Sequence, residues 1–341
     1  MSCPPAPPTS FPVGWRSCPL RAVTAAHLLD WGGMKFAITH PLVSHPYHPD
    51  LVTGAGIAAV ARGAEAAGFN GIGFTDHPAP SQRWLDGGGH DALDPFVALS
   101  FCAATTERIR LIPNIVVLPY RNPFMVAKAS ATLDVLSGGR FTLAVGVGYL
   151  KGEFAALGVT HAERNELFDE ALALVVAAWT TDEVTHEGLH FTARGVTAHP
   201  RPLTRPHPPI WIGGNSGRAR QRVADHGQGW APFSAPAGLA RTARTAVLDT
   251  PKALSLAVAD LHSRLEELGR DPASIDISFS TGAGGDPAGD TFSAEAHLEG
   301  VAALAAIGVT WVQVGLPGDD LGRTLATIER YGEQVIAPLT G

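Results

Sequence analysis

The sequence predicts an α/β chain folded as a (β/α)8 TIM barrel with insertions. Three observations predict it. From Lys35 onward, eight short strand-like runs alternate with eight helix-like segments. The runs are apolar almost throughout, as expected of parallel strands covered by helices. Eight is also the number of strands that closes a barrel, with a doubly wound sheet as the alternative architecture.

The elements follow in order along the chain. Phe36–Thr39 leads to a helical segment over 51–67, and Gly71–Thr75 to one over 95–107. Arg110–Val117 precedes 123–137, and Phe141–Gly146 precedes 161–179. Pro209–Gly213 is followed by 216–226, Gly229–Phe233 by 251–269, Ile275–Ser280 by 293–307, and Thr310–Val314 by 320–336. Asp94-Pro95 and Asn122-Pro123 each place a capping side chain before a proline at the first helical position. Thr160 and Glu163 have capping-box spacing. In the fourth helix Phe168, Leu172, Val175 and Trp179 recur at helical intervals. The stretch "DEVTHEGLHFTARGVTAHPRP" breaks the rhythm and reads as a hairpin inserted over about 181–208.

Composition narrows the function. The chain has 341 residues, 45% hydrophobic and 17% charged, with net charge −7 and no Lys/Arg block. It can bury a large core, and nucleic acid and membrane are not expected partners. The longest purely apolar stretch, Ala171–Trp179, is too short to span a bilayer. Three cysteines suggest no disulfide framework, which fits a reducing cytoplasm. Residues 1–33 carry six prolines and no signal-peptide pattern. They read as a disordered extension, or as the product of a start placed before Met34, with one barrel domain over 34–341.

In a barrel the C-terminal strand ends face the active site. The second strand ends "TDHP", which would set Asp76 and His77 at the mouth. The plainer alternative is a turn-capping Asp and a solvated His. Asn114 lies inside the apolar third strand, either as a satisfied core amide or as a bulge presenting backbone to a flat ligand. Gly146 and Gly148 in "AVGVGYLKGEF" permit close approach of a ligand to the backbone. Their spacing is not the dinucleotide GxGxxG. Gly213, Gly214, Asn215, Ser216 and Gly217 run from the fifth strand into a helix, a pattern suited to an anion such as phosphate. No metal site is expected, because His40 stands alone after the first strand. Ser216 lacks the GxSxG setting of a nucleophile.

Three stretches carry a family resemblance: "GFNGIGFTDH", "RIRLIPNIVVLPYRNPFMVAKASATLDVLSGGRFTLAVGVGYLKGEFAALG" and "RPHPPIWIGGNSGRARQRVADHGQGW". The chain resembles the bacterial luciferase-like flavin-dependent oxidoreductases, most closely their coenzyme F420-dependent branch. The resemblance implies a TIM barrel, a homodimer and a deazaflavin across the barrel mouth. It puts Asp76 and His77 at the reactive face of the ring, His77 as the acid–base group, and a non-prolyl cis peptide near Asn114 and Ile115 behind the ring. Gly146, Gly148 and Tyr149 would lie beside the cofactor, and Gly213, Gly214, Asn215, Ser216 and Gly217 would hold its phosphate. Tyr149 is a departure, because F420-dependent sugar-phosphate dehydrogenases carry a glutamate there. The expected activity is hydride transfer between F420 and a small organic substrate. The alternatives are an FMN-dependent monooxygenase using O2, and a barrel that binds the cofactor without catalysis. Substrate choice would lie in the loops His40–Asp50, Pro78–Asp94 and Thr281–Phe292.

Overall fold

The computed structural model describes residues 33–340. The extension expected over 1–33 therefore lies, apart from Gly33, outside the described residues, as do Cys3 and Cys18. Cys102 is buried and unpaired.

The barrel strands are β1 Lys35–Thr39, β2 Gly71–Gly73, β3 Arg110–Leu111, β4 Val116–Val117 and β5 Leu143–Gly146. After a separate hairpin, β6 Val184–Glu187 and β7 Thr192–Val196, come β8 Ile210–Gly213, β9 Gly229–Ala231, β10 Asp276–Phe279 and β11 Trp311–Val314. The main sheet runs β3-β2-β1-β11-β10-β9-β8-β5-β4, parallel throughout. Its two ends, β3 and β4, are halves of the predicted third strand. β3 pairs with β2, β4 pairs with β5, and Leu111 bridges to Phe141. The sheet thus closes on itself as eight strand positions.

The third strand, expected over Arg110–Val117 with a bulge near Asn114 as one reading, forms two short segments. It breaks over residues 112–115, where the Asn114–Ile115 peptide is cis. The ladder to β2 still continues through Ile112 N–H to Ile72 O and Asn114 N–H to Phe74 O.

Alternation along the strands sorts side chains between two cores. Phe36, Ile38, Ile72, Val312 and Val314 face the helices. Ala37, Ile112, Ala144, Trp211 and Trp311 fill the barrel interior, where the two indoles meet edge to face at 5.2 Å. Asp94 and Asn122 cap helices Pro95–Thr105 and Pro123–Leu136 as expected. The capping box at Thr160 does not form. The chain makes a 3-10 turn over His161–Glu163 first, so Glu163 becomes the residue preceding helix Arg164–Thr180. The last predicted helix runs as α-helix to Tyr331 and widens into a π turn over Gly332–Ile336.

The hairpin β6–β7 is antiparallel. Glu170 of the preceding helix ties it down, accepting from His190 N–H and Phe191 N–H and pairing with His186 Nε2, each at 2.9 Å. No helix among the described residues is long and apolar enough to cross a membrane.

Candidate active site

The C-terminal end of β2 delivers two adjacent side chains to two different networks. Asp76 is buried. Its carboxylate accepts from Val117 N–H at 2.8 Å and from both terminal nitrogens of Arg121, the second at 2.8 Å. Arg121 also reaches Asp94. Burial lifts the Asp76 carboxyl above the ordinary carboxylate range, with Arg121 pulling against it. Burial likewise opposes charge on Arg121, but its bonds to Asp76 and Asp94 outweigh that and raise its pKa. The two-pronged contact keeps both partners ionised at neutral pH. The resemblance puts Asp76 at the reactive face of a bound ring, where cofactor or substrate would meet its carboxylate oxygens. Instead, protein donors occupy them.

His77 turns the other way. Its Nδ1 lies 3.1 Å from Oε2 of Glu153, which has no solvent exposure. Glu153 also accepts from Tyr120 O–H at 3.0 Å and from Ala79 N–H at 3.3 Å. The His77 ring is enclosed by Trp84 at 4.7 Å, His90 at 5.1 Å and Tyr149 at 6.2 Å. Burial lowers the pKa of His90. Burial, then the charge of Glu153, pushes the Tyr149 phenol up to about 12, so it remains a donor at neutral pH. Trp84, Leu150, Lys151 and Glu153 line a cavity beside this cluster.

The glycines have specific neighbours. A Cβ on Gly146 or on Gly213 would collide with Cδ1 of Ile115, which rises from the cis bulge into the mouth. Gly148, at φ +73°, leaves room for Val117 and Phe154. Protein packing therefore accounts for the bare backbone of these three positions. Ile115 remains half-buried and forms an apolar platform. Asn114 is anchored below it, donating from Nδ2 to Thr39 Oγ1 at 2.7 Å.

After β8, Gly214 adopts φ +106°. The side chain of Asn215 is turned inward, contrary to its expected place at a phosphate. It is 1% exposed, donates to Phe233 O and Ala246 O, and accepts from Phe233 N–H. Ser216 Oγ caps helix Gly217–His226 by accepting from Ala219 N–H at 3.1 Å. The turn itself still leads bare backbone into a helix start, where the first N–H groups have no intrahelical acceptor.

Residues 34–283 match the family model described as luciferase-like monooxygenase. The chain belongs to the luciferase-like monooxygenase family. A stretch of 144 residues is 40% identical to an F420-dependent glucose-6-phosphate dehydrogenase of Beutenbergia cavernae, covering 41% of each protein. Another of 169 residues is 34% identical to an FMNH(2)-dependent dimethylsulfone monooxygenase of Pseudomonas putida, covering 48% of this chain and 45% of that protein. The chain spans about half the length of the curated relatives it matches. Monooxygenase RslO1 from Streptomyces bottropensis shares the luciferase-like fold, with TM-score 0.70 at 21% identity over 89% of this chain and 99% of that one.

Within the luciferase-like frame, sequence reasoning missed Glu153, Tyr120 and Arg121. Glu153 had one visible signal: a carboxylate beside Phe154 in a short helix that otherwise turns an apolar side inward. Tyr120 and Arg121 follow the third strand in "LPYRNP", where nothing local marks them as partners of the second strand end.

Proposed function

We propose that this chain is an F420-dependent oxidoreductase that moves a hydride between C5 of the deazaflavin and a small organic substrate. The observation that carries the reading is the enclosed His77–Glu153–Tyr120 network at the barrel mouth. The choice of F420 draws on the 40% identity to the F420-dependent relative. The residues present suit such a cofactor: Ile115 offers an apolar platform for a flat ring, and the helix start at Ser216 and Gly217 offers backbone N–H groups for a phosphate.

Bound deazaflavin supplies the hydride carrier, and the protein supplies position and proton transfer. The carboxylate of Glu153 accepts from Nδ1–H of His77 and so leaves a lone pair on Nε2. The proton that leaves the substrate passes to Nε2, and returns from it in the reverse direction. Tyr149 stays a protonated phenol beside His77, able to hold a substrate oxygen by donating to it. The ion pair of Asp76 with Arg121 fixes the strand end rather than joining the chemistry.

FMN-dependent monooxygenation is the second reading, favoured by the 34% identity to the FMNH(2)-dependent relative. Parallel titration of the apoprotein with F420 and FMN separates the two. Tight FMN binding with negligible F420 binding would overturn the F420 assignment. We further infer a homodimer. Val97, Phe101 and Met125 stand exposed on the neighbouring helices Pro95–Thr105 and Pro123–Leu136, an apolar face suited to a second copy. A monomer by sedimentation at micromolar concentration would refute it.

A further inference from the structure

Next to the turn Gly213–Gly217 lies a concentration of positive charge that proton transfer does not use. It comprises Lys151, His161, Arg164 and Arg244, from the crossovers after β5 and β9. Their placement is enforced by hydrogen bonds. Asn215 N–H donates to Thr245 Oγ1 at 3.0 Å, and Asn215 Nδ2 donates to Ala246 O at 3.2 Å. These bonds pin the segment that carries Arg244 against the turn. Arg164 Nη1 donates to His161 O at 3.0 Å. The His161 ring stands edge-on to Phe154 at 5.0 Å, and its Nε2 is buried without a partner.

The groups sit close enough to repel one another. Burial lowers the pKa of His161, and Arg164, Arg244 and Lys151 lower it further. Burial and then Arg244 lower that of Arg164, with Glu166 pulling the other way. Glu163 is exposed and forms no ion pair among the described residues; the other acids nearby are engaged. Glu166 and Asp169 meet Arg218, and Asp260 meets Arg220 and Arg264. Among the described residues Lys151, Arg164 and Arg244 form no ion pair. Like charges gathered without counter-ions raise the energy of the empty site and lower it when an anion arrives. The helix start at Ser216 and Gly217 provides N–H donors for one phosphate, so this cluster is available for additional negative charge.

We propose that Lys151, His161, Arg164 and Arg244 bind a second anionic group of the cofactor, a carboxylate of the glutamyl tail that F420 carries beyond its phosphate and FMN lacks. The inference rests on the F420 reading and deepens it, because the cluster then discriminates between the two cofactors.

The test is fluorescence titration with intact F420 and with F420 stripped of its glutamates. Lys151→Gln/Arg244→Gln removes two exposed charges that make no ion pair, so the fold should persist. Wild type should bind intact F420 about tenfold more tightly than the stripped form, and the double variant should bind both alike. Arg244→Lys should retain the preference. Equal binding of both forms by wild type, or equal losses for both forms in the double variant, would overturn this inference alone. Failure of wild type to bind either form, with FMN bound, would instead overturn the cofactor reading and this inference with it.

Discussion

Replacing Glu153 by glutamine tests whether His77 is a held acid–base group or merely a packed ring. Three donors converge on the Glu153 carboxylate: His77 Nδ1 and Tyr120 O–H on Oε2, and Ala79 N–H on Oε1. Glutamine offers one acceptor oxygen. Its better orientation keeps that oxygen on the Oε2 side and turns its NH2 toward Ala79 N–H. One part-buried donor, on the exposed residue Ala79, then loses its acceptor, at a cost of about 1 kcal/mol in stability. The bond to His77 also loses its charge assistance, which is worth about 1–2 kcal/mol, the difference between a bond to a charged group and one between neutral groups. If that bond holds the imidazole during proton transfer, turnover should fall about tenfold. His77→Ala should cost about 10²–10⁴-fold, the range of general acid–base catalysis. The measurement is stopped-flow reduction or oxidation of F420, with a substrate found by screening. The decisive comparison is a double-mutant cycle. On the His77→Ala background, Glu153→Gln should have almost no further effect on turnover. Equal losses on both backgrounds, or wild-type turnover in either single variant, would refute the reasoning.

Three further outcomes are expected. Arg121→Met leaves Asp76 buried without its counter-ion and should destabilise the fold by about 3–5 kcal/mol, with most of that recovered in Arg121→Met/Asp76→Asn. Urea unfolding of the set checks this, and a loss under about 1 kcal/mol in the single variant would contradict a buried pair. Burial pushes the pKa of His40 down to about 4, so the unfolded chain takes up its proton first as pH falls. Stability should therefore drop between about pH 6.5 and 4, by roughly 3 kcal/mol from this group, and His40→Gln should flatten that slope in unfolding titrations. Gly214→Asp should weaken F420 binding about tenfold or more, and Gly214→Ala, which shares the strain of φ +106° without the charge, should weaken it less. Equal losses would show that the shape of the turn, not repulsion of a phosphate, sets the affinity.

Local chemistry was legible in the sequence, whereas pairing between distant elements was not. The strand positions and the caps at Asp94 and Asn122 follow from apolar runs and Asp-Pro or Asn-Pro steps, each readable within a few residues. The polar Asn114 inside an apolar run offered a bulge as one reading, and the resemblance implied the cis peptide near Asn114 and Ile115 that the structure has; the run itself does not show that the chain steps aside to raise Ile115 over Gly146 and Gly213. Thr160 and Glu163 had the right spacing for a capping box, but spacing cannot reveal that a 3-10 turn intervenes. Asn215 read as part of an anion loop, yet its amide is spent on Phe233 and Ala246, 18 and 31 residues further on. Glu153 stands 76 residues from His77, and only closure of the barrel brings them together.

The "TDHP" strand end links these separate facts. Asp76 grips the third crossover through Val117 and Arg121. Three residues beyond Val117, Tyr120 donates to Glu153, and Glu153 holds His77. The path from Asp76 through 117–120 and Glu153 returns to the residue beside Asp76, forming a closed loop of contacts. A buried acid and a histidine are therefore adjacent in the chain because one clamps the backbone that supports the partner of the other. The ion pair positions the acid–base group without touching it. In this arrangement the apolar strand can end in two polar residues at little cost, because every buried oxygen of Asp76 and Glu153 meets a donor.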